Sequence, residues 1–408
     1  MKLVALVLAG GRVDELGVLT LTRPKSAVPF GGIYRIIDFP LSNLHNSGIE
    51  IVGILSQYNP SELISHIGSG IHWDLVGRGK GIKILPPYKG VRTSDWYRGT
   101  ADAVYQNISF IQEHTPENVL IISGDHIYCM DYNEIISMHL EKNADLTVGF
   151  VKVDPNEGHR FGMADIGKDG SVKDYVEKPE KTKYEWASLT IYVFKTQVLL
   201  EELKKNAKGK SHEFGRDIIP EMMKEGKKVY GYKFGGYWGY TRTLQEYFST
   251  NMDLLGENPK INPEEWGIRT NIYGNYHYDL PPTRFYPTSD VEDVLVARGS
   301  KIKGKIIHSI ISSNVIVEKG AVVKNSLIMS DCVIGEGTVV ENTIIDEATI
   351  VGKNSVIGGC KKITCIGKNS KIPDTVSIGE GCVVWPFTGE SCFKEKRIEP
   401  GTTIGGEE

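Results

Sequence analysis

The sequence predicts an α/β domain with a mostly parallel sheet and helices on both faces, followed by a left-handed parallel β-helix. Three observations indicate this. Short apolar runs alternate with helix-length amphipathic segments up to about residue 250. Apolar residues then recur at a spacing of six. Finally, 408 residues exceed what one compact core usually holds. We therefore predict an α/β domain at 1–250, a linker with Asn-Pro and Tyr-Pro steps at 251–290, and a β-helix at 291–408.

The apolar runs of the first domain predict buried parallel strands. They are rich in Val and Ile, and polar residues do not alternate with apolar ones along them. This pattern is typical of strands that are buried on both faces of a parallel sheet. Such sheets bind ligands at the carboxyl ends of their strands. The predicted strands are Leu3–Leu8, Ile51–Ser56, Val119–Ser123, Leu146–Val151 and Ile191–Phe194.

The C-terminal part repeats every seventeen residues, as three tetrapeptides show: His308-Ser309-Ile310-Ile311, Asn325-Ser326-Leu327-Ile328 and Asn342-Thr343-Ile344-Ile345. Apolar positions within one repeat are spaced six, six and five, which indicates three short strands per coil. A β-sandwich of short strands has no reason to repeat in this way. We expect Ile311, Ile328 and Ile345 to stack inside successive coils. We interpret His308 as a turn residue rather than a catalytic histidine, because asparagines take its place in the next two repeats.

Composition excludes several classes of function. A net charge of −4 gives no field that would gather nucleic acid or anionic lipid, so we expect neither nucleic acid nor membrane as a partner. Six cysteines without a Cys-x-x-Cys pair predict neither a disulfide framework nor a zinc site, and favour a reducing compartment. The apolar start runs into Ala9-Gly10-Gly11, which favours a strand and a turn over a signal peptide. No run approaches the roughly 20 residues that span a bilayer. We expect a cytoplasmic protein.

Three polar motifs follow predicted strands and are candidates for chemistry. Gly10-Gly11-Arg12 is either a phosphate-binding turn or a plain tight turn. Asp125, after Val119–Ser123, is either a Mg²⁺ ligand in the ligand crevice or the cap of a turn. Glu177-Lys178 offers a carboxylate for sugar hydroxyls and an ammonium for a phosphate, although Glu-Lys-Pro alone is also typical of a solvated turn.

Together the motifs are recognisable. Nearly the whole chain resembles the bacterial ADP-glucose pyrophosphorylase (glucose-1-phosphate adenylyltransferase) family, whose Rossmann-like nucleotidyltransferase domain precedes a left-handed β-helix. The resemblance implies that ATP and glucose 1-phosphate are converted into ADP-glucose and pyrophosphate, with Mg²⁺, in glycogen synthesis. The motifs that carry it are Arg23–Gly32, Tyr34–Phe39, Leu41–Asn43, Trp96–Val104, Gly124–Tyr128, Val176–Pro179, Ile191–Phe194 and Phe214–Asp217.

The resemblance also implies the site residues, matched position by position. Those for catalysis are Asp125, Lys25 and Arg12, with Asp125 as the Mg²⁺ ligand. Those for glucose 1-phosphate are Tyr97, Gly162, Glu177, Lys178 and Ser188, and those for the nucleotide are Gly10, Gly11, Gly99 and Asp102. It further implies a homotetramer, or a hetero-oligomer with a catalytic paralogue.

The nucleotide side departs from the family pattern. Val13 stands where the family has glycine, and Glu15 where it has an arginine toward the triphosphate. Tyr240 replaces a second metal-binding aspartate, and Thr190 replaces a glycine. We expect an active enzyme with a rebuilt phosphate site that uses Arg12, Arg23 and Arg242. Two alternatives are a catalytically impaired regulatory subunit that binds sugar phosphate, and a nucleotidyltransferase that uses another nucleoside triphosphate. Arg23 and the region between the domains are further candidates for anion contacts.

Overall fold

A computed structural model describes residues 2–11, 13–88, 96–272 and 279–406. The first domain contains a ten-stranded sheet in the order β11-β10-β12-β7-β1-β4-β6-β5, in which β9 pairs with β12 and β13 pairs with β9. Two short two-stranded antiparallel sheets, β2–β3 and β8–β14, lie outside it. The strands are β1 Leu3–Leu8, β2 Pro29–Phe30, β3 Tyr34–Arg35, β4 Ile51–Leu55, β5 Val76–Gly77, β6 Lys80–Leu85, β7 Asn118–Ser123, β8 Ile127–Tyr128, β9 Leu146–Lys152, β10 Gly162–Ile166, β11 Val172–Glu177, β12 Trp186–Lys195, β13 Val229–Phe234 and β14 Trp238–Gly239.

The centre of the sheet is parallel, as the continuous apolar runs predict. β1 pairs in parallel with β4 and with β7, and β4 pairs in parallel with β6. All six residues of β7 are buried, because layers of side chains cover both faces of the sheet. β12 differs: it is antiparallel to β7 and to β9. A run of apolar residues indicates that a strand is buried on both faces of the sheet, but it does not show whether the strand is parallel or antiparallel to its neighbours.

Helices flank this sheet. The last of them begins at a capping box, in which Thr243 accepts from the backbone of Glu246 and Glu246 accepts from the backbone of Thr243. None of the helices in the described part of the chain is long and apolar enough to cross a membrane. The α-helices are α1 Asp38–Asn46, α2 Ser61–Ile67, α3 Thr100–Gln106, α4 Ile108–His114, α5 Tyr132–Glu141, α6 Thr196–Asn206, α7 Ile219–Lys224 and α8 Leu244–Met252, and a π turn, Phe214–Ile218, precedes α7. Short 3₁₀ helices cover Asp14–Thr20, Lys25–Ala27, Ile71–Trp73, Pro155–Arg160 and Glu390–Cys392.

The second domain is a left-handed parallel β-helix. Its inward side chains form one apolar core, and Ile311, Ile328 and Ile345 are paired in register and buried there, which confirms the predicted stack. The strands are β15 Arg284–Phe285, β16 Asp290–Val296, β17 Lys301–Ile302, β18 Lys305–Ile311, β19 Ile316–Val317, β20 Val322–Lys324, β21 Leu327–Ile328, β22 Val333–Ile334, β23 Val339–Glu341, β24 Thr343–Ile345, β25 Ile350–Val351, β26 Val356–Gly358, β27 Thr364–Ile366, β28 Lys371–Ile372, β29 Ser377–Ile378, β30 Val383–Val384, β31 Arg397–Ile398 and β32 Thr403–Ile404.

The corners of the coils use left-handed backbone conformations. His308, Asn325 and Asn342 occupy one corner with φ of 42°, 44° and 49°, so the interpretation of His308 as a turn residue is confirmed. Asparagine tolerates this conformation better than most residues, which explains its recurrence. Asn325 also donates to the Asn342 side chain of the next coil at 3.1 Å. His308 contacts the Asp293 carboxylate, a neighbour on the coil that precedes it.

The segment between the domains packs against both of them. Helix α8 runs to Met252, and Arg284–Phe285 already pairs with the first coil. Leu254 and Leu255 between them are buried in an apolar cluster shared by the two domains. In this cluster outward-facing residues of the β-helix, such as Ile344, pack against the first domain. The members from the β-helix are Ile310, Leu327, Met329, Ile344 and Cys365, and those from the first domain include Phe30, Phe39, Tyr247 and Phe248.

An interdomain ionic cluster adjoins this apolar contact; its members are Arg23, Arg35 and Glu62 of the first domain and Asp346, Glu347 and Lys368 of the β-helix. The Arg23 guanidinium is fully buried and lies 2.6 Å from Asp346 and 2.8 Å from Glu347. Burial would raise the pKa of Glu347, but Arg35, Arg23 and Lys368 lower it to about 2. Arg23, a candidate for anion contacts, thus meets carboxylates of the protein itself.

Candidate functional site

A cavity of about 500 Å³ opens at the carboxyl ends of three neighbouring strands. Leu8 of β1, Leu55 of β4 and Ser123 of β7 form its floor. This edge is where parallel α/β sheets bind ligands, because the loops that follow the strands diverge there. The cavity is lined by the predicted sugar-phosphate residues, the predicted catalytic pair Lys25 and Asp125, and all three predicted nucleotide-binding glycines.

Lys25 and Asp125 meet at one wall of the cavity. Lys25 belongs to the 3₁₀ turn Lys25–Ala27 and is 2% exposed, and its Nζ lies 3.2 Å from Asp125 Oδ2. Asp125 follows β7, and the hydroxyl of Ser123 donates to its other oxygen. The structure therefore brings together two residues for which the resemblance implies catalytic roles.

The electrostatics of this pair follow from burial and from the opposite charge. Burial alone would raise the pKa of Asp125, but Lys25 and the Ser123 hydroxyl hold it well below its usual range. Burial lowers the pKa of Lys25, and the negative charge of Asp125 offsets only part of this decrease. Burial also lowers the pKa of the adjacent His126 to about 4, so that this imidazole is neutral at pH 7. Asp125 is consequently a carboxylate whose main counter-ion is Lys25.

Another part of the cavity wall consists of the predicted sugar-binding groups. Tyr175 donates to Glu177 Oε2 at 3.0 Å, which fixes that carboxylate at the cavity surface. Gly162 lies directly behind it: a Cβ there would come within 1.8 Å of the Tyr175 hydroxyl and 2.7 Å of Glu177 Oε2. Only glycine allows this approach, which gives Gly162 a supporting role for Glu177. Ser188 of β12 lines the same wall and is 9% exposed.

Lys178 and Tyr97 lie at the margins of this wall. Lys178 is exposed, adopts φ of 46°, and donates its backbone N–H to Phe161 at 2.9 Å. Its ammonium is therefore available to a ligand. The Tyr97 hydroxyl donates to the Leu85 carbonyl at 2.8 Å and accepts from Asn107 at 3.0 Å. Tyr97 lines the cavity, but the proton of its hydroxyl is already engaged within the protein.

The predicted nucleotide-binding residues separate into two groups. Gly10, Gly11 and Gly99 line the cavity. Asp102 does not line it; it is buried in the first turn of α3 and accepts from the Arg98 backbone at 3.0 Å. Arg12, predicted as catalytic, lies outside the residues that the structure describes.

Arg242, which lines the cavity, forms an ion pair with Glu15. Arg242 Nη2 lies 2.8 Å from Glu15 Oε1, and Arg242 Nη1 lies 3.3 Å from the Tyr240 hydroxyl. The Tyr240 ring stacks on Trp238 with centroids 5.1 Å apart, and Lys25 Nζ lies 5.4 Å from its centroid. Two of the residues that depart from the family pattern, Glu15 and Tyr240, are thus joined through Arg242, whose charge Glu15 neutralises.

Comparisons with known proteins agree with this architecture. A profile described as nucleotidyl transferase matches residues 4–257, and a GlmU-like, C-terminal hexapeptide profile matches residues 281–364. Among curated relatives, the glucose-1-phosphate adenylyltransferase of Thermotoga neapolitana is 44% identical over 99% of this chain and 98% of its own length. That of Clostridium kluyveri is 46% identical over 91% of this chain and 97% of its own length.

The chain belongs to the glucose-1-phosphate adenylyltransferase family. The resemblance inferred from the motifs is thereby confirmed, together with the nucleotidyltransferase domain and the hexapeptide-repeat domain behind it.

Nucleotidyltransferases of this family generally work with a divalent metal ion, and the donor set can be tested against that requirement. In the described residues no three His, Cys, Asp or Glu side chains gather into a metal site. Asp125 is an ionised carboxylate at the cavity wall, whereas Tyr240 occupies the position at which the family has a second carboxylate. Mg²⁺ is commonly bound by one or two carboxylates together with substrate phosphates. Asp125 therefore fits a divalent ion that is held largely by the substrate.

The polar residues that line the cavity without having been assigned a role from the sequence include Gln57, Arg160, Glu213 and Arg216. Gln57 accepts from the Tyr97 backbone, and Glu213 accepts from the Thr100 hydroxyl at 2.6 Å. Both support loops of the cavity wall, whereas Arg216 is an exposed cation. Arg216 belongs to the Phe-Gly-Arg-Asp motif, and this motif is the sequence feature from which its place in the cavity lining could have been predicted.

Proposed function

We propose that the chain is a glucose-1-phosphate adenylyltransferase that converts ATP and glucose 1-phosphate into ADP-glucose and pyrophosphate for glycogen synthesis. The supporting observation is that one cavity combines the sugar-binding wall around Glu177 with the buried pair Lys25–Asp125. Relatives of that name match nearly the whole chain.

The sugar-binding wall would position the nucleophile. The Lys178 ammonium pairs with the phosphate of glucose 1-phosphate, and the Glu177 carboxylate accepts hydrogen bonds from sugar hydroxyls. The Ser188 hydroxyl donates to or accepts from the ring in the same way. Held by these groups, a phosphate oxygen of glucose 1-phosphate faces the α-phosphorus of ATP.

The reaction is an in-line displacement at the α-phosphorus. A bond forms from the glucose 1-phosphate oxygen to that phosphorus, while the bond to the leaving pyrophosphate breaks. Such a displacement requires positioning and charge neutralisation rather than a covalent intermediate. Lys25 offsets negative charge on the phosphates, and Asp125 orients Lys25. A Mg²⁺ ion bound by Asp125 and the nucleotide phosphates would neutralise further charge.

The direct test is release of pyrophosphate from glucose 1-phosphate and each of the four common nucleoside triphosphates. We expect turnover with ATP and slower turnover with the other three. A faster reaction with another nucleoside triphosphate would replace ATP in the proposal and keep the reaction. No turnover with any of them would contradict the proposed reaction.

The Glu15–Arg242 pair favours a second candidate function, that of a regulatory subunit beside a catalytic paralogue. A carboxylate at this position repels a triphosphate, and it neutralises the arginine that would otherwise attract one. The hydrogen bonds that hold Glu177 and Ser188 do not involve Glu15 or Arg242, so such a subunit would still bind sugar phosphate. We propose a homotetramer for the enzyme and a hetero-oligomer for the regulatory subunit, in the cytoplasm in either case. Repeating the assay with an added catalytic paralogue distinguishes the two, because a regulatory subunit changes only the activity of its partner.

Lys178→Ala is expected to weaken glucose 1-phosphate binding at least about tenfold under either function. Loss of one charge-assisted contact typically costs about 1.5 to 3 kcal/mol. Isothermal titration calorimetry measures the change, and Lys181→Ala is the matched control, since Lys181 is exposed and lies outside the cavity lining. Equal affinity of the wild type and Lys178→Ala would show that the phosphate binds elsewhere.

A further inference from the structure

Thr190 adopts a backbone conformation that its side chain disfavours. Its φ is 58°, in the left-handed region, where a β-branched residue is a true outlier. It lies in an irregular part of β12, between Ser188, which pairs with Phe150, and Tyr192, which pairs with Val148. Glycine adopts this conformation without steric cost, and glycine is what the family pattern has here. The threonine side chain is therefore present at position 190 despite the strain that it causes in the backbone, which indicates that the side chain itself has a role.

Thr190 is placed beside the predicted sugar-binding residues. Thr190 is half-buried and lines the cavity on the same wall as Ser188, whose Oγ accepts from the Thr190 backbone N–H at 3.4 Å. Burial raises the pKa of Tyr192 to about 12. The side chains of Ser188 and Thr190 hydrogen-bond to Tyr192 and partly offset this increase. Tyr175 connects the wall to Glu177. Thr190 thus ends a row of hydroxyls that begins at the sugar-binding carboxylate.

We propose that Thr190 is a specificity-determining residue whose side chain contacts the ring of a bound sugar 1-phosphate. Its hydroxyl hydrogen-bonds a ring hydroxyl, and its methyl group narrows this end of the cavity, so that epimers with a misplaced hydroxyl fit less well. This inference rests on the proposed binding of a sugar 1-phosphate and deepens it. It also accounts for the strain, because residues in disfavoured conformations concentrate at sites that clamp ligands.

Two substitutions separate this role from a structural one. Thr190→Gly removes both the strain and the ligand contact. We expect its thermal midpoint to rise by about 1–2 °C. We also expect its glucose 1-phosphate affinity to fall roughly fivefold or more, and its preference for glucose 1-phosphate over galactose 1-phosphate to shrink. Thr190→Val keeps the branched shape and the strain but lacks the hydroxyl. We expect it to bind glucose 1-phosphate more weakly without any gain in midpoint.

The matched control is Thr375→Gly, since Thr375 has φ of 59° at an exposed corner of the β-helix. It should gain stability like Thr190→Gly and bind like the wild type. A Thr190→Gly variant that is more stable and binds both epimers as the wild type does would overturn the proposal. If the wild type prefers galactose 1-phosphate and Thr190→Gly reduces that preference, the role of Thr190 stands and the glucose assignment fails. A wild type that binds no sugar 1-phosphate would contradict both.

Discussion

Asp125→Asn is expected to lower the rate of pyrophosphate release from ATP and glucose 1-phosphate by about 100-fold or more. The substitution removes the carboxylate that orients Lys25 at 3.2 Å and that fits a divalent ion. Removal of one preorganised electrostatic group from an active site commonly costs about 10²–10³ in rate. The measurement is a coupled pyrophosphate assay at saturating Mg²⁺, with kcat and KM determined separately.

Two controls make this result specific to the site. Asp165→Asn changes an exposed aspartate outside the cavity lining and should retain full activity. Glucose 1-phosphate binding by calorimetry should survive in Asp125→Asn, because the sugar-binding wall is built from other residues, and it reports that the variant is folded. A variant that is folded and as fast as the wild type would show that Asp125 has no part in the reaction.

A wild type without turnover would favour the regulatory subunit, and the structure then defines how activity should be restored. Glu15→Arg alone would place a cation beside Arg242, the present partner of Glu15 at 2.8 Å. The variant must therefore restore the family residues through Val13→Gly, Glu15→Arg and Tyr240→Asp. It must also remove the neighbouring cation through Arg242→Gly. We expect Mg²⁺-dependent turnover to become measurable in it. Persistent inactivity would mean that the loss of activity has a different origin.

Arg23→Met is expected to lower the free energy of unfolding by about 3–5 kcal/mol, because it leaves Asp346 and Glu347 without their closest cation in a buried site. Urea denaturation followed by circular dichroism measures the loss. Lys324→Met is the matched control: its ion pair with Glu341 is exposed, and such pairs contribute only about 0–1 kcal/mol. A loss below about 1 kcal/mol for Arg23→Met would contradict the view that the cluster holds the domains together. Addition of Asp346→Asn should recover part of the stability.

The sequence predicts well whatever depends on local pattern. The first strand, Leu3–Leu8, matches the structure at both ends, since it is an apolar run that stops at glycines. The inward stack of Ile311, Ile328 and Ile345 and the turn at His308 follow from a repeat that each coil imposes on the next. The strand is determined by residues next to one another in the sequence, and the other features by residues in neighbouring repeats.

Features that depend on distant partners could not be derived in this way. Arg242 is close to Tyr240 in the sequence, but its partner Glu15 lies 227 positions away. Arg23 binds Asp346, which lies 323 positions away in the sequence. The sequence presents Arg23 as a candidate for binding an anionic ligand, but in the structure a carboxylate of the protein neutralises its charge. Asp102 belongs to a recognisable motif, yet the motif does not show whether its carboxylate faces a ligand or the backbone of its own helix.

The tripeptide Arg23-Pro24-Lys25 has a consequence for how this architecture can be recombined. Its first residue is anchored in the β-helix at Asp346, and its third reaches Asp125 in the cavity. A hybrid in which the β-helix comes from another member of the family would keep Arg23 but could lack the carboxylates that bind it. Crossovers within residues 251–290 should therefore yield well-folded hybrids only when the donor carries acidic residues equivalent to Asp346 and Glu347. The C-terminal domain is, in this sense, not an interchangeable module but a part of the framework that positions Lys25.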